Sequence, residues 1–400
     1  MSGPCAYDRP RRIRRGAALT LVFASVLATG AAAGTWNESA EGAVERPVRT
    51  SADGRAERIA DRAAVERAAS EAMEDGKSGS QAAADVVSRS GDRWSAIYSP
   101  GEFEGFQQQL DGAYVGVGLW VRQAHGGRIE VSGVQDDSPA DRAGIAVGDA
   151  LRAVDGRPSR GRPVTEIVAR LRGAAEDGSG EHSAEAGTSV RLDLRRGSRS
   201  WTATLHRTRL RTQNVTTERS AHGLTRIKVA AFAKGTGEEV RRAVRRAAPH
   251  GGLLLDLRGN TGGLVTEAVD AASAFLDGGL VATYDVRGSQ RALYAERGGN
   301  TRVPLVVLVD GGTMSAGELL AGALQDRSRA VVVGSPTFGK GSVQMPSELP
   351  DGSVAELTVG HYRTPSGRAV DGRGITPDVL AESRTEKRAR TVLSGLGGGS

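Results

Sequence analysis

The chain has 400 residues, of which 38% are apolar and 25% charged, and its formal net charge is +6. That length accommodates two to three domains of a soluble globular protein. The positive charge is spread along the chain and nowhere interleaved with the scarce aromatic residues, 4% of the total, which argues against a nucleic-acid surface. The single cysteine, Cys5, excludes an internal disulfide.

In chain order, Arg9, Arg11, Arg12, Arg14 and Arg15 precede an apolar run over residues 17–33 that ends in three alanines. A basic stretch, an apolar core and a small-residue site make an export signal. Cleavage after Ala33 and retention of residues 17–33 as a membrane anchor both fit a run of this length. Either way the remaining chain is expected outside the cytoplasm, secreted or held on the outer face of the cytoplasmic membrane. Residues 34–55 read as a linker. Residues 56–112 read as an N-terminal helical segment: Ala56 to Arg93 is Ala- and Val-rich among charges, and a second helix follows Pro100. This segment offers a homodimer contact.

Residues 113–208 form a β-rich unit, with turn glycines and strand residues from Tyr114 to Val121. Val164, Ile167, Val168 and Leu171 recur at helical spacing within it. Ala174 to Gly187 has no periodicity and reads as a mobile insertion. Residues 209–382 read as α/β, because Leu253–Leu257, Leu305–Val309 and Ala330–Val333 are short apolar runs typical of strands buried on both faces. Residues 383–400 are polar, end in Gly-Gly-Gly-Ser and read as a disordered tail.

The chemistry gathers in the α/β part. After the strand ending at Val309, glycines turn the chain and Ser315 opens a helix. First-turn N–H groups are unpaired and the helix dipole favours developing negative charge there. A serine so placed attacks a carbonyl while neighbouring N–H groups hold the oxyanion. The local pattern by itself favours the plainer reading of Ser315 as an N-cap, with Glu318 completing a capping box. None of the six histidines lies in a catalytic motif, and Thr313 breaks the nucleophile-elbow pattern. A buried lysine is a competent base when neutral, and Lys340, between Gly339 and Gly341, is the candidate. Gln344 would orient its amine without charging it. The rival reading of Gly334 to Lys340 as a phosphate loop lacks the Ser/Thr hydroxyl for magnesium, since Gly341 stands there, and Pro336 removes a cradle N–H. A double glycine, Gly262-Gly263, follows the strand at Leu253 and lets backbone approach a substrate.

Taken together, Leu257-Arg-Gly-Asn-Thr-Gly-Gly-Leu264, Gly312-Thr-Met-Ser-Ala-Gly-Glu-Leu319 and the run from Ala330 to Gln344 resemble the C-terminal processing peptidases, the tail-specific protease family. The resemblance covers about residues 60–380 and includes the step of 25 residues from Ser315 to Lys340. It implies an α/β fold: a crotonase-like ββα-type peptidase core with an inserted PDZ-like β domain. It further implies a catalytic Ser315, Lys340 and Gln344, and an oxyanion hole from the N–H groups of Gly263 and Ala316. No metal or cofactor is called for. Met314 and Gly317 depart from the family's usual small Ala or Ser, and Thr261 from its frequent proline.

The β-rich unit resembles the family's PDZ domain. Gly116, Val117, Gly118 and Leu119 correspond to its carboxylate-binding loop, and Ile167 or Val168 to a side chain facing the groove. The partners implied are protein or peptide substrates with free apolar C-termini, and family PDZ domains can gate the active site. The competing class is a non-catalytic PDZ scaffold with a vestigial peptidase core. A retinoid-binding-type module on the same core is a third, disfavoured by Lys340 and the PDZ unit.

Overall fold

The computed structural model describes residues 59–173, 185–220, 223–247, 251–286 and 289–397. The export segment, the linker and most of the expected mobile insertion lie outside these residues. The helical stretch at the N-terminus is broken in two, α1 (Arg62–Glu74) and α2 (Gly79–Ser90), by a turn through Gly76. Ser78 caps α2 through its side chain, accepting from the Gln81 N–H. A short strand, β1 (Ala96–Tyr98), follows, and then α3 (Pro100–Leu110). Ser99 and Glu102 form a full capping box on α3, and Pro100 occupies its first turn.

The PDZ unit is entered and left through a two-stranded neck, in which β2 (Ala113–Gly116) pairs antiparallel with β9 (Thr208–Arg211). Between them lie β3 (Leu119–Ala124), β4 (Arg128–Val134), α4 (Pro139–Arg142), β5 (Ala150–Val154), β6 (Arg157–Pro158), α5 (Val164–Arg172), β7 (Ser189–Arg196) and β8 (Arg199–His206). The sheet runs β3-β4-β5-β7-β8, so β3 is an edge strand. Its core is a separate cluster that includes Ile129, Leu151, Ile167, Val190 and Leu192.

The remainder builds the larger α/β body. It comprises β10 (Val215–Arg219), β11 (Thr225–Val229), α6 (Thr236–Arg245), β12 (Leu253–Asp256), α7 (Val265–Ser273), β13 (Gly279–Val286), β14 (Ser289–Ala295), β15 (Leu305–Val309), α8 (Ala316–Asp326), β16 (Val331–Gly334), β17 (Ser342–Glu348), β18 (Val354–Arg363), β19 (Val379–Leu380) and α9 (Thr385–Gly397). One sheet has the order β10-β11-β12-β15-β16-β19, parallel from β11 onward. A second, antiparallel sheet joins β1, β18, β13 and β14, with β17 also on β18. The helices α1 and α2 cover the far face of that sheet, burying Val65, Ala69, Ala83 and Val87 against Ala355 and Leu357. Their apolar faces are thus used within the chain.

The parallel strands are buried on both faces, which explains their unbroken apolar runs. Leu253, Leu255, Leu305, Val307 and Val309 face α6, α7 and α8. Leu254, Val306, Leu308 and Val333 face the opposite way, against Ala389 and Leu393. These last two residues belong to α9, so the expectation of a disordered tail over 383–400 is corrected for residues 385–397. The helix forms because a parallel sheet needs a second cover. Ala389 and Leu393, one helical turn apart, supply the stripe that a polar, Gly-ending segment concealed. Ala389→Asp places a charge in this layer and should lower stability by about 2–4 kcal/mol, read from urea unfolding; an unchanged midpoint would mean that α9 does not dock.

Candidate active site

Three adjacent parallel strands end side by side: Asp256 of β12 pairs with Leu308 of β15, which pairs with Val333 of β16. The segments that leave these ends, residues 257–264, 310–316 and 335–344, therefore meet. Open α/β sheets collect their chemistry at this edge.

The first segment is anchored by Asp256. Burial pushes its carboxyl up, but hydrogen bonds from Arg258 and Arg226, 2.7 and 2.6 Å long, outweigh burial and hold it below the usual range. Asn260 ties this segment to the next. Its Oδ1 accepts from the Gly262 N–H at 2.9 Å, and its carbonyl accepts from the Met314 N–H at 2.8 Å. Gly263 has φ +125°, and a Cβ there would lie 2.4 Å from the Phe232 carbonyl oxygen, so only glycine fits. Among the described residues no hydrogen bond uses the Gly263 N–H.

The second segment presents Ser315 with φ +49° and ψ −113°, a conformation that costs of order 1–3 kcal/mol and must be held from outside. Its N–H donates to Glu318 Oε2 at 2.8 Å, and its carbonyl accepts from the Tyr362 hydroxyl at 2.8 Å. Gly262 packs directly on it, since a side-chain carbon there would sit 3.1 Å from Ser315 Cβ. Ala316 begins α8, so its N–H has no intrahelical partner.

The third segment carries Lys340, which is 0% exposed, while Ser315 is 1% exposed. The Lys340 N–H donates to Glu318 Oε2 at 2.8 Å, and its carbonyl accepts from the Tyr362 hydroxyl at 2.9 Å. Glu318 and Tyr362 therefore each grip the backbone of both residues. Glu318 also accepts from the Gly339 N–H and the Thr337 hydroxyl, at 2.7 and 2.5 Å. Its carboxyl is pushed up by burial, and these four donors pull it back only in part. Lys340 Nζ lies 5.4 Å from the centroid of the Trp94 ring. Burial brings its amine down from 10.5 to about 8, against the pull of Glu356, Asp371, Asp92 and Glu318. Gln344, on β17, is fully buried; its Nε2 donates to the Trp94 carbonyl, and its Oε1 is buried without a hydrogen-bond partner.

The structure thus brings Ser315, Lys340, Gln344, Gly263 and Ala316 to one place. A buried hydroxyl, an amine lowered by burial and two available N–H groups suit acyl transfer. Sequence reading saw Glu318 only as half of a capping box, and it missed Trp94, Tyr362 and Glu356. No local pattern marks these, because β1 and the strand pair β17/β18 meet them only through long-range pairing.

In the PDZ unit the expected binding residues separate. Gly116 is not in a loop: it ends β2 and pairs with Thr208. The turn proper is Val117-Gly118. Gly118 has φ +79°, and a Cβ there would lie 2.2 Å from Ser138 Cβ. The turn is braced by N–H groups of Ala140 and Gln135, which donate to the carbonyls of Val117 and Gly118 at 3.0 and 2.9 Å. Leu119 starts the edge strand. Ile167 is fully buried in the PDZ core, which leaves the half-buried Val168 as the groove candidate.

Residues 223–381 match the model of Peptidase family S41, and residues 130–178 match a PDZ domain. The chain is 33% identical over 297 residues to the carboxyl-terminal-processing protease of Synechocystis sp., covering 72% of this chain and 67% of that one. It is 32% identical over 296 residues to the carboxy-terminal processing protease CtpA of Bacillus subtilis, covering 73% of this chain. It spans 61% of the length of that relative and 58% of a chloroplast carboxyl-terminal-processing peptidase of Arabidopsis thaliana. A solved photosystem II D1 C-terminal processing protease is 27% identical with a TM-score of 0.47, covering 80% of this chain and 86% of that one.

Proposed function

Since the chain belongs to the C-terminal processing peptidases of family S41, we propose that it is an extracytoplasmic serine endopeptidase that cuts proteins near their C-termini with Ser315 and Lys340. The observation that carries this reading is the shared grip of Glu318 and Tyr362 on both residues, with the amine fully buried. Neutral Lys340 takes the Ser315 proton as Oγ bonds to the substrate carbonyl carbon. The oxyanion accepts from the Gly263 and Ala316 N–H groups. The C–N bond then breaks, and the Lys340 ammonium protonates the leaving amine. Lys340 next takes a proton from water as the water oxygen attacks the ester carbon; the C–Oγ bond then breaks and the ammonium returns the proton to Ser315 Oγ. Gln344 Oε1, which has no hydrogen-bond partner in the enclosed site, is the acceptor that would aim the amine once substrate opens it.

The PDZ unit would hold the substrate's free C-terminus at Val117-Gly118, with the peptide added along the open edge of β3. The location outside the cytoplasm rests on the basic, apolar and small-residue pattern of residues 9–33. Ser315 is enclosed, so cleavage requires an opening movement, and the PDZ unit is the natural element to couple it to a captured C-terminus. The same enclosure is the observation that favours the non-catalytic scaffold.

A fluorophosphonate separates the two readings. It should label the protein at Ser315, mapped by peptide mass spectrometry; absence of label at pH 9 with bound C-terminal peptide would support the scaffold. Amidating the C-terminus of an unfolded substrate should lower kcat/KM about tenfold or more, since a charge-assisted contact is lost. Equal cleavage of both forms would remove the PDZ unit from substrate capture.

A further inference from the structure

Glu356 is an ionisable group of this site with no part in the steps above. It is 0% exposed, and neither carboxylate oxygen has a hydrogen-bond partner. A buried carboxylate left this way is costly unless it is neutral or balanced by a nearby charge. Its position is set by β18, where it sits opposite Pro346 of β17 and Ala96 of β1. Gln344 sits opposite Thr358, one pair further along the same face. Glu356 and Gln344 are therefore diagonal neighbours, and both keep an unpartnered buried oxygen.

Charges around the pair single out Glu356. Burial pushes its carboxyl up, while Lys340 and, less strongly, the nearby Tyr98 hydroxyl of β1 pull it down, although that hydroxyl falls short of hydrogen-bond geometry. In return Glu356 exerts the largest of the four carboxylate pulls on Lys340, ahead of Asp371, Asp92 and Glu318. The other three are already committed. Glu318 holds four donors. Asp371 accepts from Trp94 Nε1 and the Gly341 N–H. Asp92 accepts from the N–H groups of Trp94 and Ser95. The Tyr362 hydroxyl is spent on two carbonyls.

We propose that Glu356 is a positioning residue that acts through Lys340, its ionised carboxylate favouring the ammonium form of the amine and restraining the base around neutral pH. This rests on the reading of Lys340 as the base. At low pH the pair carries a protonated carboxyl and an ammonium. It loses two protons in succession as pH rises, and the amine becomes neutral beside an anion that resists the loss. Without that anion, Lys340 gives up its proton at lower pH.

The experiment follows fluorophosphonate labelling of Ser315 against pH in the full chain. Glu356→Gln should move the midpoint of the acid limb down by about one unit or more. Labelling at about pH 7.5 should then be severalfold faster than in the parent protein, the gap closing at lower pH as the parent carboxyl becomes protonated. Glu356→Met, uncharged and of similar length, should give the same shift and serves if the glutamine variant does not fold. Glu356→Asp should keep the parent midpoint. Unmoved midpoints in folded Gln and Met variants, with Lys340→Ala unlabelled, would overturn the role of Glu356 and leave the base intact. Labelling that survives in Lys340→Ala would overturn the base assignment itself.

Discussion

Replacing Lys340 by alanine should lower kcat/KM on an unfolded protein substrate by about 10³-fold or more, because the amine that takes the Ser315 proton is lost. The parent enzyme's pH profile gives the same answer without a mutation. Burial has brought the amine down to about 8, so below that pH the ammonium dominates and is useless as a base. The sign follows directly: kcat/KM should rise about tenfold per unit up to pH 8 and level off above it. A profile flat between pH 6 and 9 would remove Lys340 from the role. Thermal unfolding of Lys340→Ala, measured alongside, separates lost chemistry from lost fold.

Glu318→Gln should be nearly as damaging, although Glu318 touches no reacting atom in the mechanism. Its carboxylate takes four donors: three backbone N–H groups and one hydroxyl. An amide offers one oxygen and one NH₂, and the NH₂ faces donors where the second oxygen stood. At least one buried N–H then loses its partner, at about 1–3 kcal/mol each. The loss falls on the bracket that joins the start of α8 to the Lys340 segment. Displacement of the pair by about 1 Å is enough for a 10²-fold loss of reactivity. Urea unfolding and the rate of Ser315 labelling should therefore fall together. Parent-like stability with parent-like labelling would show that the bracket is dispensable.

The α/β class was legible because β12, β15 and β16 are buried on both faces, which writes unbroken apolar runs into the chain. The site was legible only where it is local. Ser315 with its glycines, Lys340 between Gly339 and Gly341, and Gly262-Gly263 each occupy a short segment after a strand. Tyr362 and Glu356 lie on β18, whose register against β17 and β1 joins residues up to 260 positions apart. Side-chain alternation alone does not say which strand lies next door. The same limit hid α9, whose apolar stripe has meaning only against the exposed face of the parallel sheet.

By itself the sequence determined which residues are able to do chemistry and which strand ends carry them, since turns, caps and buried runs are set by neighbours a few positions apart. Only the tertiary structure decided what surrounds them. It placed Lys340 out of reach of water, made Glu318 a bracket where the sequence showed a helix cap, and set Glu356 beside the base. Those outcomes depend on desolvation and on charge across strands that pair at long range, and neither is written in any local pattern.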